Sequence, residues 1–197
     1  MLTLSDISYK YRSNQIVFEH VSFAIDQGEI VGLIGRSGVG KTTLAKIIAG
    51  YLRPIAGHLS ITQEKGKAHP VQLIWQHPEE AVNPKWRIKR ILTEVGPINE
   101  DLLALFQIDR AWLERFPNQL SGGQLQRICI VRALMTNPSY IIADEMTTML
   151  DPITQVTIWK AFLSYVRSRN IGVLIISHDQ ALLGHVATRI VTFEKLL

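Results

Sequence analysis

The chain has 197 residues, 47% of them hydrophobic, and carries 21 basic against 17 acidic side chains for a net charge of +4. That length supports one large domain with a real core, and so small a charge excess does not by itself argue for nucleic-acid binding. A lone cysteine, Cys129, excludes an internal disulfide, no apolar run reaches the roughly 18 residues of a spanning helix, and Met1–Asp6 lacks a secretory signal's basic and hydrophobic regions.

Alternating apolar positions predict antiparallel-type strands near Leu2–Ile7 and Val17–Ile25, with Tyr9 and Tyr11 following the first. Glu29–Ile34 reads as a buried strand and Lys41–Ala49 as a helix. Between them GRSGVGKT, residues 35–42, fits the phosphate-loop pattern. Gly35, Gly38 and Gly40 leave room for backbone N–H groups to close around phosphate oxygens, with Ser37 and Thr43 as further cofactor-binding candidates. Lys41 adds a positive charge at a helix N-terminus, and Thr42 places a hydroxyl where Mg²⁺ bridges phosphates. A Gly-rich loop without a nucleotide role would not need this strand and helix around it.

A short β segment at His58–Thr62 and a strand at Val71–Trp75 come next. Ile88, Ile91, Leu92 and Val95, then Leu102, Leu105 and Phe106, recur at helical spacing. Lys85–Arg90 is the one basic and aromatic cluster; it reads as a nucleic-acid patch, a partner contact through Trp86, or a solvated helix face. Ser121, Gly122 and Gly123 open a helix over Gln124–Met135, offering bare N–H groups and a hydroxyl to an anion. Cys129 falls in the apolar stretch of that helix and reads as an inert core thiol.

Tyr140–Ala143 is an apolar run ending in two carboxylates, which is how a parallel strand delivers acids to a sheet's carboxyl edge. Asp144 suits Mg²⁺ and Glu145 suits an attacking water, a division that fits phosphoryl transfer. The bland alternative is a helix cap or ion-pair partner. Asp151–Pro152 is a good helix start, and Pro152–Arg169 places Val156, Trp159, Leu163 and Val166 on one stripe. Gly172–Ser177 reads as a strand closed by His178, and the last strand lies near Arg189–Phe193. Strand–helix alternation indicates an α/β fold with a mostly parallel sheet.

With GRSGVGKT, LSGGQ at 120–124 and YIIADE at 140–145 in this order, the chain resembles the nucleotide-binding subunit of ATP-binding cassette transporters over nearly its whole length. The resemblance implies a phosphate-loop core with an antiparallel β subdomain (1–76 and 137–197) and a small helical subdomain (77–136), within one domain. It implies that Gln76 senses the γ-phosphate through Mg²⁺ and water, and that His178 contacts the same phosphate. Tyr11 is implied to stack on adenine, with Tyr9 or core packing as the alternative.

It further implies that Ser121, Gly122, Gly123 and Gln124 cap the ATP of a second ATPase subunit, and that Asp151 reaches across the same dimer. The other partners would be permease chains and, through them, a solute-binding protein, at the cytoplasmic face of the membrane and without nucleic acid. Gln76–Pro84, with its Asn83-Pro84 pair, resembles ATPases of oligopeptide, dipeptide and nickel importers, which makes the solute a small peptide, a metal or a metal chelate. A soluble cassette ATPase acting on nucleic acid or ribosomes is the competing class. Met146–Leu150 departs from the family's usual P-T-S-A-L, and the chain stops soon after its last expected strand, where many ATPases of that branch continue.

Overall fold

The computed structural model describes residues 1–11, 15–62 and 68–197. In chain order the strands are β1 (Leu2–Lys10), β2 (Ile16–Ile25), β3 (Ile30–Ile34), β4 (Ala56–Ser60), β5 (Val71–Ile74), β6 (Tyr140–Asp144), β7 (Gly172–Ile176) and β8 (Arg189–Thr192). The helices are α1 (Lys41–Ile48), α2 (Ile88–Thr93), α3 (Glu100–Leu105), α4 (Gly122–Met135), α5 (Pro152–Ser168) and α6 (Gln180–Val186). A five-stranded sheet in the order β5-β6-β7-β3-β8, parallel throughout, packs with an antiparallel three-stranded sheet ordered β2-β1-β4.

The apolar runs that read as buried strands do so because both faces of the parallel sheet are covered. Successive residues serve opposite cores: Ile141, Ala143, Val173 and Ile175 pack with α4 and α5. Tyr140, Ile142, Leu174 and Ile176 pack with α1 and the antiparallel sheet. The period of two is therefore present in sequences that show no polar alternation.

β1 runs three residues past its expected end, and a bulge explains how. Leu2 and Leu4 face the core; the register then shifts, Asp6 takes a left-handed φ of 56°, and Ile7 and Tyr9 become the buried pair. β2 makes the matching change at His20, φ 59°, between Phe18 and Val21. This paired irregularity keeps apolar side chains inward while carrying the strand to Lys10, next to Tyr11.

Two expectations need correction. Val156 is exposed, because α5 buries Ile158, Trp159, Ala161, Phe162 and Val166 instead and Val156 lies off that face. The helix expected over Gln124–Met135, α4, begins at Gly122: Ser121 is its N-cap, so both glycines belong to the first turn. α6 was not foreseen; it is seven residues long and is started by Asp179, whose carboxylate accepts from the Leu182 N–H.

Candidate active site

Parallel pairing brings the carboxyl ends of all five strands to one edge, with Leu33 and Asp144 both opposite Ile176. A cavity of about 610 Å³ opens there, lined by Tyr11, Ser37, Gly38, Gly40, Lys41, Thr42, Thr43, Gln76, Asp144, Glu145 and His178. Residues as far apart as 11 and 178 thus meet around one space. Gly40 must be glycine: its φ is 112°, and an added Cβ would lie 2.8 Å from the Phe18 ring.

Lys41 is buried, and its Nζ donates to the carbonyls of Gly35 and Arg36, both at 2.8 Å. Dipoles satisfy the ammonium's hydrogen bonds without neutralising its charge, so the loop holds a cation suited to an anionic ligand. Asp144 is buried in the same cavity, near the Thr42 hydroxyl. Burial raises the Asp144 carboxyl above its ordinary value; the Thr42 hydroxyl and the charges of Lys41 and Lys46 oppose that rise, and Glu145 adds to it.

A carboxyl whose folded pKa is raised gives stability that is present below its unfolded value and lost as pH rises through the folded one. Ionised Asp144 therefore costs the nucleotide-free protein stability near neutral pH. Asp144→Asn is expected to melt higher than the parent at about pH 7, with the gap closing as the pH falls through the carboxylate range. Thermal melts across that range check the sign, and a variant that melts lower at neutral pH overturns it.

Glu145 sits between two partners: Gln76 Nε2 donates to its Oε2 at 2.8 Å, and His178 Nε2 lies 3.1 Å from its Oε1. Its backbone is left-handed, φ 48°, held by a bond from its N–H to Ile176 O and by the N–H and hydroxyl of Thr148 on its own carbonyl. Such a φ costs a non-glycine residue about 1–2 kcal/mol, and the surrounding bonds over-determine it.

Tyr11 stands half-exposed at the rim with its hydroxyl 3.0 Å from Thr43 Oγ1, and Tyr9 is buried edge-on behind it. Sequence reasoning missed Ile16 and Val17 as apolar walls. It also missed Glu194, whose Oε1 accepts from the Arg36 N–H at 2.9 Å and braces the phosphate loop from the turn Phe193–Lys195. That bond holds the Glu194 carboxyl below its ordinary value. Neither signal is periodic; both arise from pairings more than 20 residues apart.

Gly35 does not line this cavity, nor do Ser121, Gly122, Gly123, Gln124 and Asp151. Ser121 and Gln124 close a reciprocal capping box, so the Gln124 N–H and side chain are already engaged and only the glycine amides are bare. Asp151 caps α5 through the Thr154 N–H, and the Thr154 hydroxyl together with that N–H holds its carboxyl below the ordinary range. The two stretches touch: a Cβ on Gly123 would lie 2.6 Å from Leu150 Cδ2. Together they form a second exposed surface, next to the first site in function only if another molecule brings a nucleotide to it.

In the basic cluster, Arg90 covers the Trp86 ring at 4.0 Å, Trp86 packs on the core, and Arg87 pairs with Glu114. The indole is not free for base stacking. Cys129 is buried and reduced, its thiol pushed up to about 12 by burial, as expected of an inert core thiol.

Known proteins resemble this chain in sequence and in fold. The family model described as "ABC transporter" matches residues 18–148. Nickel import system ATP-binding protein NikE of Staphylococcus aureus strain N315 is 30% identical, across 98% of this chain and 87% of that protein. The same protein of strain USA300 aligns at the same identity and coverage. Among solved structures, an ATP-binding subunit of an ABC transporter superposes with a TM-score of 0.84 at 26% identity, covering 98% of this chain and 85% of its own. The cassette MJ0796, solved as a post-hydrolysis dimer bound to ADP and Pi, superposes at 0.82 with 24% identity, covering 98% and 94%.

Proposed function

Because the chain belongs to the ABC transporter family, we propose that it is the ATP-hydrolysing motor subunit of a membrane importer for a small solute, namely a peptide, nickel or another metal, or a metal chelate. The observation that carries the reading is the single cavity uniting a phosphate loop, a buried Lys41, Asp144 and the Gln76–Glu145–His178 trio. The likeness to a nickel import ATP-binding protein supports the importer assignment, and the Asn83-Pro84 turn after Gln76 is consistent with it.

ATP enters with its phosphates on the amides of residues 37–42 and at the start of α1. Lys41 exchanges its two carbonyls for β- and γ-phosphate oxygens, and Tyr11, with Ile16 and Val17, takes the adenine side. The donors fit Mg²⁺: the Thr42 hydroxyl, the Asp144 carboxylate and Gln76 supply hard oxygens, and no cluster of three or more His, Cys, Asp or Glu exists among the described residues, which leaves positions for phosphate and water. Bound there, Mg²⁺ supplies charge neutralisation on the phosphates. Glu145 positions and deprotonates the attacking water, while Gln76 and His178 hold its carboxylate and face the γ-phosphate.

Residues 1–76 and 137–197 form the nucleotide-holding core and 77–136 the helical subdomain in this reading. The Ser121 turn and Asp151 meet the nucleotide of a second ATPase subunit, so ligand that bridges both surfaces stabilises the closed pair and hydrolysis releases it. Permease chains at the cytoplasmic face of the membrane convert that cycle into uptake, with a solute-binding protein upstream.

Affinity purification from gently solubilised native membranes tests the assignment. Permeases and a sister ATPase are expected to accompany the chain; ribosomal or nucleic-acid proteins from the soluble fraction would overturn the importer reading. Ser121→Arg is expected to leave ATP binding by the isolated subunit intact yet abolish ATP-dependent pairing in light scattering, and pairing that persists would sink the shared-nucleotide model.

A further inference from the structure

The segment after β5 runs along α4, and three side chains of α4 hold it by its carbonyls. Gln126 Nε2 donates to Trp75 O at 3.1 Å, the Cys129 thiol to Pro78 O at 3.6 Å, and Arg132 Nη1 to Ala81 O at 2.9 Å. Donors and acceptors both step by three. On α4 that spacing keeps side chains on one face, and the facing turn Pro78–Ala81 is a 3-10 helix with three residues per turn, so the two repeats stay in register.

Gln126 and Cys129 are buried, Gln126 to 1% exposure, among apolar neighbours of α4. Arg132 is oriented from its far side by Glu94 at 2.6 Å. A polar amide placed in a core costs stability unless bonded, and Gln126 Oε1 has no partner among the described residues. Only half of the amide is used for packing, and the used half grips the carbonyl immediately before Gln76.

We propose that Gln126, Cys129 and Arg132 are positioning residues that fasten the Gln76 segment to α4, so that displacement of the Ser121 turn moves Gln76 and, through its 2.8 Å bond, Glu145. The path is short: Gln126 lies five residues along α4 from the Ser121 cap, and Trp75 adjoins Gln76. Engagement of Ser121 by a second subunit's nucleotide is thereby reported to the chain's own attacking-water residue. The inference rests on the proposed roles of Gln76 and Glu145 and adds the connection between the two surfaces.

Gln126→Met keeps length and volume, removes the donor and removes the unpartnered oxygen. Turnover of the membrane-extracted complex is expected to fall about tenfold or more, the scale of a small misplacement of a reacting group, with ATP affinity of the isolated chain within about twofold. In a Gln76→Ala background the same change is expected to cost nothing further, since it acts through Gln76.

Turnover that stays within about twofold of the parent, or losses that simply add in the double variant, overturns the proposal. If Gln126→Met does not fold, Arg132→Met, at a partly exposed rung, is put through the same cycle and read the same way. Failure here is separable from failure of the underlying reading, because Glu145→Gln tests that reading without touching α4.

Discussion

Glu145→Gln is expected to bind ATP as tightly as the parent or tighter while turnover falls about 10²–10⁴-fold, the usual worth of a positioned base. The substitution is nearly isosteric, so the amide still fits between Gln76 and His178, which now flank the carboxylate at 2.8 and 3.1 Å. Binding does not suffer because a negative charge is removed from a cavity that receives phosphates. The same removal takes away one of the influences that raise the Asp144 carboxyl, so Asp144 should titrate lower in the variant. Single-turnover hydrolysis and a nucleotide titration separate the two effects, and near-normal turnover would remove Glu145 from the chemistry. In the proposed dimer the variant should also accumulate as the ATP-bridged pair, because the step that dissolves the bridge is blocked.

Much of this arrangement was readable because it is local. A phosphate loop needs glycines at fixed offsets followed by a helix, and a strand that ends in acids at a sheet edge writes them consecutively, as Asp144 and Glu145 are. Residues 120–124 likewise encode their own capping box. Other features depend on pairings that no short window contains. The bulges at Asp6 and His20 swap the buried parity of β1 and β2, so β1 continues to Lys10 although its alternation breaks at residue 6. Val156 keeps helical spacing with Trp159 but lies off the face that α5 buries. The left-handed Glu145 is held by Ile176, and the Glu194 brace is contributed by a residue 158 positions from Arg36. The rungs from α4 to the Gln76 segment bridge 51 residues each, and each donor alone reads as an ordinary member of an apolar helix.

Lys41→Ala is expected to lower ATP affinity about 10²-fold, the worth of one or two charge-assisted hydrogen bonds to phosphate. The parent already buries this ammonium against two carbonyl dipoles, which neutralise none of its charge. Removing it takes a desolvated cation out of the fold but also frees two carbonyls and lifts an opposing influence from buried Asp144, so the nucleotide-free melting temperature should change little. The contrast appears when ligand is added. At a nucleotide concentration near 100 times the parent's Kd, binding stabilises the parent by about 2.7 kcal/mol, whereas a variant weakened 10²-fold gains only about 0.4 kcal/mol. The ATP-induced melting shift should thus nearly vanish while the ligand-free protein is little changed. A variant that unfolds easily without ligand would make Lys41 a structural cation, and one that keeps the full ATP shift would detach the phosphate loop from nucleotide binding. The expected pair of results, a sound fold and a lost shift, is the mark of a charge placed for its ligand.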